Sequence, residues 1–347
     1  MHVLRCFSAL AILVATGAFA SAEAQIVDAE FDAQWGLAAV GAQYALERGL
    51  TGAGVGVVVV DSAFQATHPE FAGRVGAFQY NPNGETAGSH GTHVAGIIGA
   101  GRNGFGMEGI APNVILSSIA LLDGSDAASL NDSQLAEGYR QAIAAGLRVF
   151  NNSWWYPGTQ ITSFDRASAI AQVGPQTVAA FQEAVDAGAT LVFITGNDGN
   201  PQPDVTGGLP YFVPSLAPGW ITTTSVNQNL TRSDFANACG VARYFCIAAP
   251  GSDIYSTMPG STYGLMSGTS MAAPHVTGAV AVAKQMFPNA NGSEIASLVL
   301  RTATDIGDAG VDDIYGWGLL NIGNLVATTD SATGSVFTNA AFGRFAA

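Results

Sequence analysis

The run Val55-Gly-Val-Val-Val-Val-Asp61 limits this chain more than any other stretch. A continuous β-branched segment without polar alternation has no face to give to water, so it belongs in a strand covered on both sides, as in a parallel sheet sandwiched by helices. Runs of the same kind follow at 114–122, 147–153, 190–197, 220–226 and 246–251, several ending in polar residues. Helical patterns lie between them. In residues 131–146, Leu135, Tyr139 and Ile143 share a face, Asn131 or Asp132 can cap the start and Gly146 the end. In residues 177–188, Val178, Phe181 and Val185 form one stripe and Gly188 closes it. Strands alternating with helices predict an α/β doubly wound, mostly parallel sheet with helices on both faces. Ligands of such sheets gather outside the carboxyl ends of the strands, which places Asp61 and Asn197 at the functional edge.

The chain of 347 residues, 48% apolar and only 11% charged, can bury a large core, which excludes a disordered chain. Its net charge of -14, with twelve basic residues of which Lys284 is the only lysine, leaves little with which to bind phosphates, so nucleic acid is not an expected partner. Residues 1–24 carry Arg5, an apolar run from Ala9 to Ala20 and small residues at 18, 20, 22 and 24, the pattern of a secretory signal peptide. The alternative, an uncleaved membrane anchor, suits the shortness of that run less well. No other apolar run has transmembrane length, so no stable membrane insertion is expected once the signal is removed. The expected layout is therefore a signal at 1–24, a single folded domain at 25–327 whose arm occupies 25–53, and a small polar tail at 328–347. Cys6 leaves with the signal, and the remaining Cys239 and Cys246 are expected to pair. Closing so small a loop is worth about 2.5 kcal/mol in the chain-entropy model. Two thiolates without nearby histidines would make half a zinc site at most.

Three residue types then fall where elements begin or end. Asp61 closes the first strand, His90 stands in the first turn of the helix beginning Ser-His-Gly-Thr-His, and Ser270 sits where a Gly-Ser-Thr run breaks into an alanine-rich helix with one proline in its first turn. These are the types needed for an orienter, a base and a nucleophile. A serine hydroxyl attacks poorly at neutral pH, so His90 must take its proton while Asp61 holds the imidazole's tautomer and stabilises its charged form. At a helix start, unpaired N–H groups and the dipole favour developing negative charge, and Gly268 lets a substrate approach closely. The Ser270 backbone N–H and the Asn197 side-chain amide are the two expected oxyanion donors. The three side chains are expected to fold into one hydrogen-bonded line.

With these motifs in place the chain resembles a subtilase, a subtilisin-like serine protease of peptidase family S8. The matching segments are VVVVDSA with HPEF, SHGTHVAGIIGA, GIAP, NNSW, ITGNDGN, GTSMAAPHVTG and YGWGLLN, spanning about Gln34 to Asn321 in the family's chain order of acid, histidine, serine. The resemblance implies a serine endopeptidase with Asp61, His90 and Ser270 as the triad and Asn197 in the oxyanion hole. Peptide bonds would be hydrolysed through an acyl-enzyme, with no required cofactor. It also implies that a peptide pairs along Ser153, Trp154 and Trp155, with Gly196 beside it. The partner would be a protein or peptide substrate and the enzyme a monomer, secreted or held at the cell surface, with a periplasmic stage possible in transit.

Three departures qualify this. Ala63 follows Asp61 and Ser62 where glycine is usual, so the turn must accept a β-carbon, at some expected strain on the triad. Trp155 stands where the substrate strand usually has glycine, and with Trp154 it could narrow the cleft or offer an aromatic wall. Only 36 residues separate Ala24 from Asp61, fewer than the folded propeptide of many secreted subtilases requires. The arm and the Cys239–Cys246 pair look most like subtilase passenger domains of bacterial autotransporters, though no translocating barrel follows in this sequence.

Other residues read as structural. His93 is expected to pack or bond within its helix, His275 to be a satisfied, half-buried helix residue and His68 to be structural. His90 and His93 lack the spacing of a zinc pair. Asp198 reads as a solvated loop charge, and Ser267 and Ser89 as loop hydrogen-bonders. Calcium is a possible structural ion, with Glu70 and the 123–132 loop supplying carboxylates but no ligand set assigned. A silent fold used for surface binding, or a serine esterase, is the alternative to a protease; the absence of a G-x-S-x-G elbow disfavours the esterase.

Overall fold

The computed structural model describes residues 27–329. The expected signal at 1–24, Cys6 and nearly all of the 328–347 tail lie outside the described residues. Seven parallel strands form one sheet: β1 (Gly56–Ser62), β2 (Val75–Tyr80), β3 (Ile115–Leu122), β4 (Val149–Asn152), β5 (Thr190–Ile194), β6 (Trp220–Val226) and β7 (Cys246–Pro250), in the spatial order β2-β3-β1-β4-β5-β6-β7. Order reverses between β1, which pairs with both β3 and β4, and its neighbours, so the carboxyl end of β1 is a topological switch point. An antiparallel hairpin, β8 (Ile254–Met258) and β9 (Thr262–Met266), stands apart from the sheet.

Among the described residues ten α-helices accompany the strands. The arm folds into α1 (Ala29–Asp32), α2 (Trp35–Ala39) and α3 (Gln43–Leu46). The longer ones are α4 (Ser89–Gly99), α5 (Asp132–Ala144), α6 (Arg166–Val173), α7 (Pro175–Asp186), α8 (Thr269–Met286) and α9 (Gly292–Arg301), followed by α10 (Ile322–Ala327). The sheet separates two cores. On one side α4, α8 and α9 pack with the arm, whose Phe31, Leu37, Val40 and Leu46 are buried in it. On the other side α5 and α7 cover Val58, Val60, Phe150 and Phe193. Every residue from Val57 to Val60 is wholly buried, alternating between the two cores. A strand whose two faces are both covered can afford no polar side, which explains the unbroken valine run.

Local chemistry fixes the ends. Asn131 caps α5 by accepting from the Gln134 N–H while the Gln134 side chain returns to Asn131, and Gly146 closes the turn at φ +85°. Cys239 and Cys246 form a disulfide. Helix α8 is buried from Thr269 to Ala283, and its proline is the sixth residue, in the second turn rather than the first. Pro274 has no N–H to give the Ser270 carbonyl four residues back. The Ser153 hydroxyl supplies that missing donor at 2.9 Å, tying the start of α8 to the end of β4.

Candidate active site

Asp61 lies at the end of β1, wholly buried, and His90 in the first turn of α4 meets it with Nδ1 2.7 Å from Asp61 Oδ1. A carboxylate only accepts, so Nδ1 carries the proton and Nε2 is left as the basic nitrogen. Oδ1 also accepts from the Ser62 N–H at 2.7 Å. Burial alone would depress the His90 imidazole; the charge and hydrogen bond of Asp61, with Asp126 adding a lesser attraction, outweigh it and raise its pKa above 6.5. Gly91 makes the approach possible, because a β-carbon there would fall 1.9 Å from the Ser62 carbonyl oxygen. Ala63 does not strain this turn: the non-glycine residues with positive φ among those described are Asp126, Leu230, Asp253 and Ser261.

Ser270 is the second residue of α8 and buried. Its hydroxyl donates to the Ser153 carbonyl at 3.2 Å, and no hydrogen bond joins it to the imidazole. The expected line of three groups is therefore half made. The reason is the Ser153–Ser270 clasp, in which each serine hydroxyl binds the other's carbonyl. The Ser153 hydroxyl also accepts from the Asn151 amide, so this side chain braces α8 while Ser153 itself lines the cleft.

Asn197 follows β5. Its Oδ1 accepts from the Thr269 N–H and hydroxyl, both at 2.8 Å, which fixes the amide plane and turns Nδ2 toward Gly268. A β-carbon built on Gly268 would lie 3.6 Å from both Asn197 Nδ2 and the Ser270 backbone nitrogen, so two donors converge on one small space. An oxygen bearing negative charge fits there, and a side chain on residue 268 would fill it. His90, Asp126, Trp155, Asn197, Met266 and Ser270 are among the residues lining one cleft of about 620 Å³.

The two tryptophans part company. Trp154 is 6% exposed and packs into the core with α7, edge-on to Phe193, with its indole N–H donated to Asn152 Oδ1, while also contributing to the wall of the cleft. Trp155 packs on the opposite core, its indole N–H buried without a partner and its Cδ1 3.3 Å from where a Gly196 β-carbon would stand. Asp198 accepts from the Gly158 N–H.

The other histidines are structural in ways the sequence leaves open. His93 bonds outside its helix, with Nε2 2.9 Å from the Ile254 carbonyl and 3.2 Å from that of Gly264, and burial pushes its pKa down to about 4. His275 is wholly buried rather than half-buried; Nδ1 donates to the Met271 carbonyl and the Gln34 side-chain amide lies 2.8 Å from Nε2. Burial pushes it also down to about 4. His68 Nδ1 accepts from the Glu70 N–H.

The carboxylates considered for calcium are engaged with protein donors. Glu70 is wholly buried and accepts from the Tyr263 hydroxyl, the Met107 N–H and the Asn103 amide. Asp123 accepts from Ser125 and Ala127 N–H groups. Among the described residues no group of three or more His, Cys, Asp or Glu could hold a metal ion. Asp204 is a brace that the sequence hides: wholly buried, it accepts from the N–H groups of Tyr156, Thr206 and Gly207 and from the Thr206 hydroxyl, with burial pushing its pKa up to about 6. Only its place in a Pro-Asp-Val-Thr turn signals such a role.

Comparison with known proteins places this geometry. The model of the Subtilase family matches residues 52–318. An extracellular serine protease of Serratia marcescens is 32% identical over 362 residues, covering 85% of this chain and 34% of that protein. An alkaline protease of Alkalihalobacillus alcalophilus is 34% identical over 302 residues, 86% of this chain and 71% of that one, and Subtilisin Savinase of Lederbergia lenta is 34% identical across 83% of this chain and 96% of its own. The chain thus spans about a third of the Serratia protein's length and most of Savinase. Among solved structures, one titled as the prenylagaramide maturation protease PagA shares the fold at a TM-score of 0.67, 23% identity and coverage of 84% of this chain and 99% of that one.

Proposed function

The chain belongs to the subtilase family, and from that premise we propose that it is a secreted serine endopeptidase with Asp61, His90 and Ser270 as its triad and Asn197 as oxyanion donor. The observation that carries the reading is the convergence of Asn197 Nδ2 and the Ser270 nitrogen on the space beside Gly268, within the same cleft as a His90 whose Nδ1 is held by Asp61.

A peptide laid along the ends of β4 and β5 brings its carbonyl carbon to Ser270. The hydroxyl turns from the Ser153 carbonyl to His90 Nε2, a rotation about one staggered bond that exchanges one acceptor for another. As Oγ bonds to the carbonyl carbon its proton passes to Nε2, and Asp61 stabilises the imidazolium. The carbonyl electrons move onto oxygen, where the two donors receive them. When they return, the C–N bond breaks and His90 hands its proton to the leaving amine, leaving an acyl ester on Ser270. Water then repeats the sequence with His90 again as base, releasing the acid. No step calls on a metal or cofactor.

Secretion draws support from the signal-like pattern at 1–24, from the Cys239–Cys246 disulfide, which suits an oxidising compartment, and from a relative named extracellular. No helix among the described residues is long and apolar enough to cross a membrane. The test is hydrolysis of casein by the mature protein, with and without a sulfonyl fluoride, repeated with Ser270→Ala. Inhibited hydrolysis that disappears in the variant is the expected result. Equal rates for wild type and variant would overturn the reading in favour of a silent binding fold.

A further inference from the structure

We propose that Trp155 fills the recess for the substrate side chain on the acyl side of the scissile bond, restricting cleavage to bonds that follow small residues. The inference rests on the protease reading above. Strands β4 and β5 are parallel neighbours with Asn152 opposite Phe193, so Ser153–Trp155 and Thr195–Asn197 leave the sheet side by side. A carbonyl attacked by Ser270, with its oxygen toward Asn197 Nδ2, puts the side chain of its own residue beside Asn197, and the gap between those two segments is the recess open to it.

The Trp155 indole already occupies that gap. The opposite wall, Gly196, cannot be smaller and cannot gain a side chain, since it holds φ +99° and a β-carbon would lie 2.6 Å from Asn237 Nδ2. Even against this bare backbone the indole comes to 3.3 Å of the β-carbon position. Nor is the segment free to swing: the Tyr156 N–H is held by Asp204 and the Gly158 N–H by Asp198. The indole N–H is buried without an acceptor, so packing alone holds the ring in the gap. The cleft of about 620 Å³ beside the indole also has Leu122, Ala128 and Met266 in its lining, which offers room for other side chains of the peptide.

The test compares kcat/KM for chromogenic tetrapeptide anilides that differ only in Gly, Ala, Leu or Phe before the anilide. Wild type is expected to favour Ala over Phe by about a hundredfold, and Trp155→Gly to raise the Phe/Ala ratio by a similar factor. Trp155→Phe, a smaller change in the same packing, is expected to raise it partway and serves if the glycine variant does not fold. A wild type that accepts Phe as readily as Ala, or a ratio unmoved in the variants, overturns the proposal. Labelling of Ser270 by a phosphonyl fluoride separates these outcomes from failure of the protease reading. An enzyme that is labelled but unselective refutes the role of Trp155 alone, whereas one neither labelled nor active removes both.

Discussion

His90 and His93 stand three residues apart on α4, and the surroundings of the two differ in one respect that decides their chemistry. His90 meets a carboxylate at 2.7 Å; His93 meets the Ile254 and Gly264 carbonyls of the β8–β9 hairpin. Burial disfavours the charged imidazole at both. At His90 the Asp61 charge reverses the outcome and raises the pKa, while at His93 two neutral dipoles leave it down at about 4. A full opposite charge, and not a hydrogen-bonding partner as such, makes a buried histidine into a base that can hold a proton through a reaction.

Exchanging the two histidines' fates is the strongest way to break this contrast. His90→Ala should lower turnover by about 10⁴-fold or more, as loss of the triad histidine does in subtilisin, with a thermal midpoint close to wild type. His93→Ala should do the opposite, retaining turnover while losing about 1–3 kcal/mol in urea unfolding, through lost packing and hydrogen bonds. Next in size is the oxyanion space: Asn197→Ala should reduce kcat by about 10² to 10³, the range seen in subtilisin itself, and Gly268→Ala should also reduce kcat by placing a methyl group between the donors.

The pH dependence of stability sharpens the comparison further. His93 and His275 are depressed to about 4 from 6.5, so the unfolded chain takes up protons first as pH falls. Each should remove about 3 kcal/mol of stability between pH 6.5 and 4 and no more below that. Glu108 acts with the other sign. Burial pushes its pKa up to about 7 against partial relief from Arg102, so the stability it contributes is present below about 4.5 and lost as pH rises through 7. Urea unfolding of Glu108→Gln from pH 4 to 8 should therefore show the histidine slope without that opposition. For activity, kcat/KM should rise with pH through an apparent pKa above 6.5, because His90 must be neutral to act, and Asp61→Asn should move that inflection down. Smallest is Asn131→Ala, which removes the cap of α5 and no group used in the reaction, and should cost about 1 kcal/mol in melting and nothing in turnover.

How far these features could be read in advance depended on whether their cause is local. The buried strands were legible because continuous β-branched runs have one use, and Asp61, His90, Asn197 and Ser270 because each stands at an element's end. Strand β2 alternates partly exposed residues at the sheet edge, and the hairpin pairs a largely buried β8 with a partly exposed β9, both mixed in polarity, so neither writes an apolar run. Helix α9 did carry a signal, the Asn291–Glu294 capping box ahead of Ile295, Leu298 and Val299. What no local pattern could supply were contacts across the chain: the Ser153–Ser270 clasp, the Gln34–His275 pair and the packing of Trp154 and Trp155 against different cores.

The central claim is that Ser270 is a nucleophile activated by a histidine that a carboxylate holds. Its most direct measurement is the rate of Ser270 modification by a phosphonyl fluoride as a function of pH, with the adduct located by peptide mass spectrometry. The account predicts a single adduct on Ser270 whose rate climbs with pH through a value above 6.5 and is lost in His90→Ala. An adduct elsewhere, or a Ser270 rate indifferent both to pH and to His90, would contradict it.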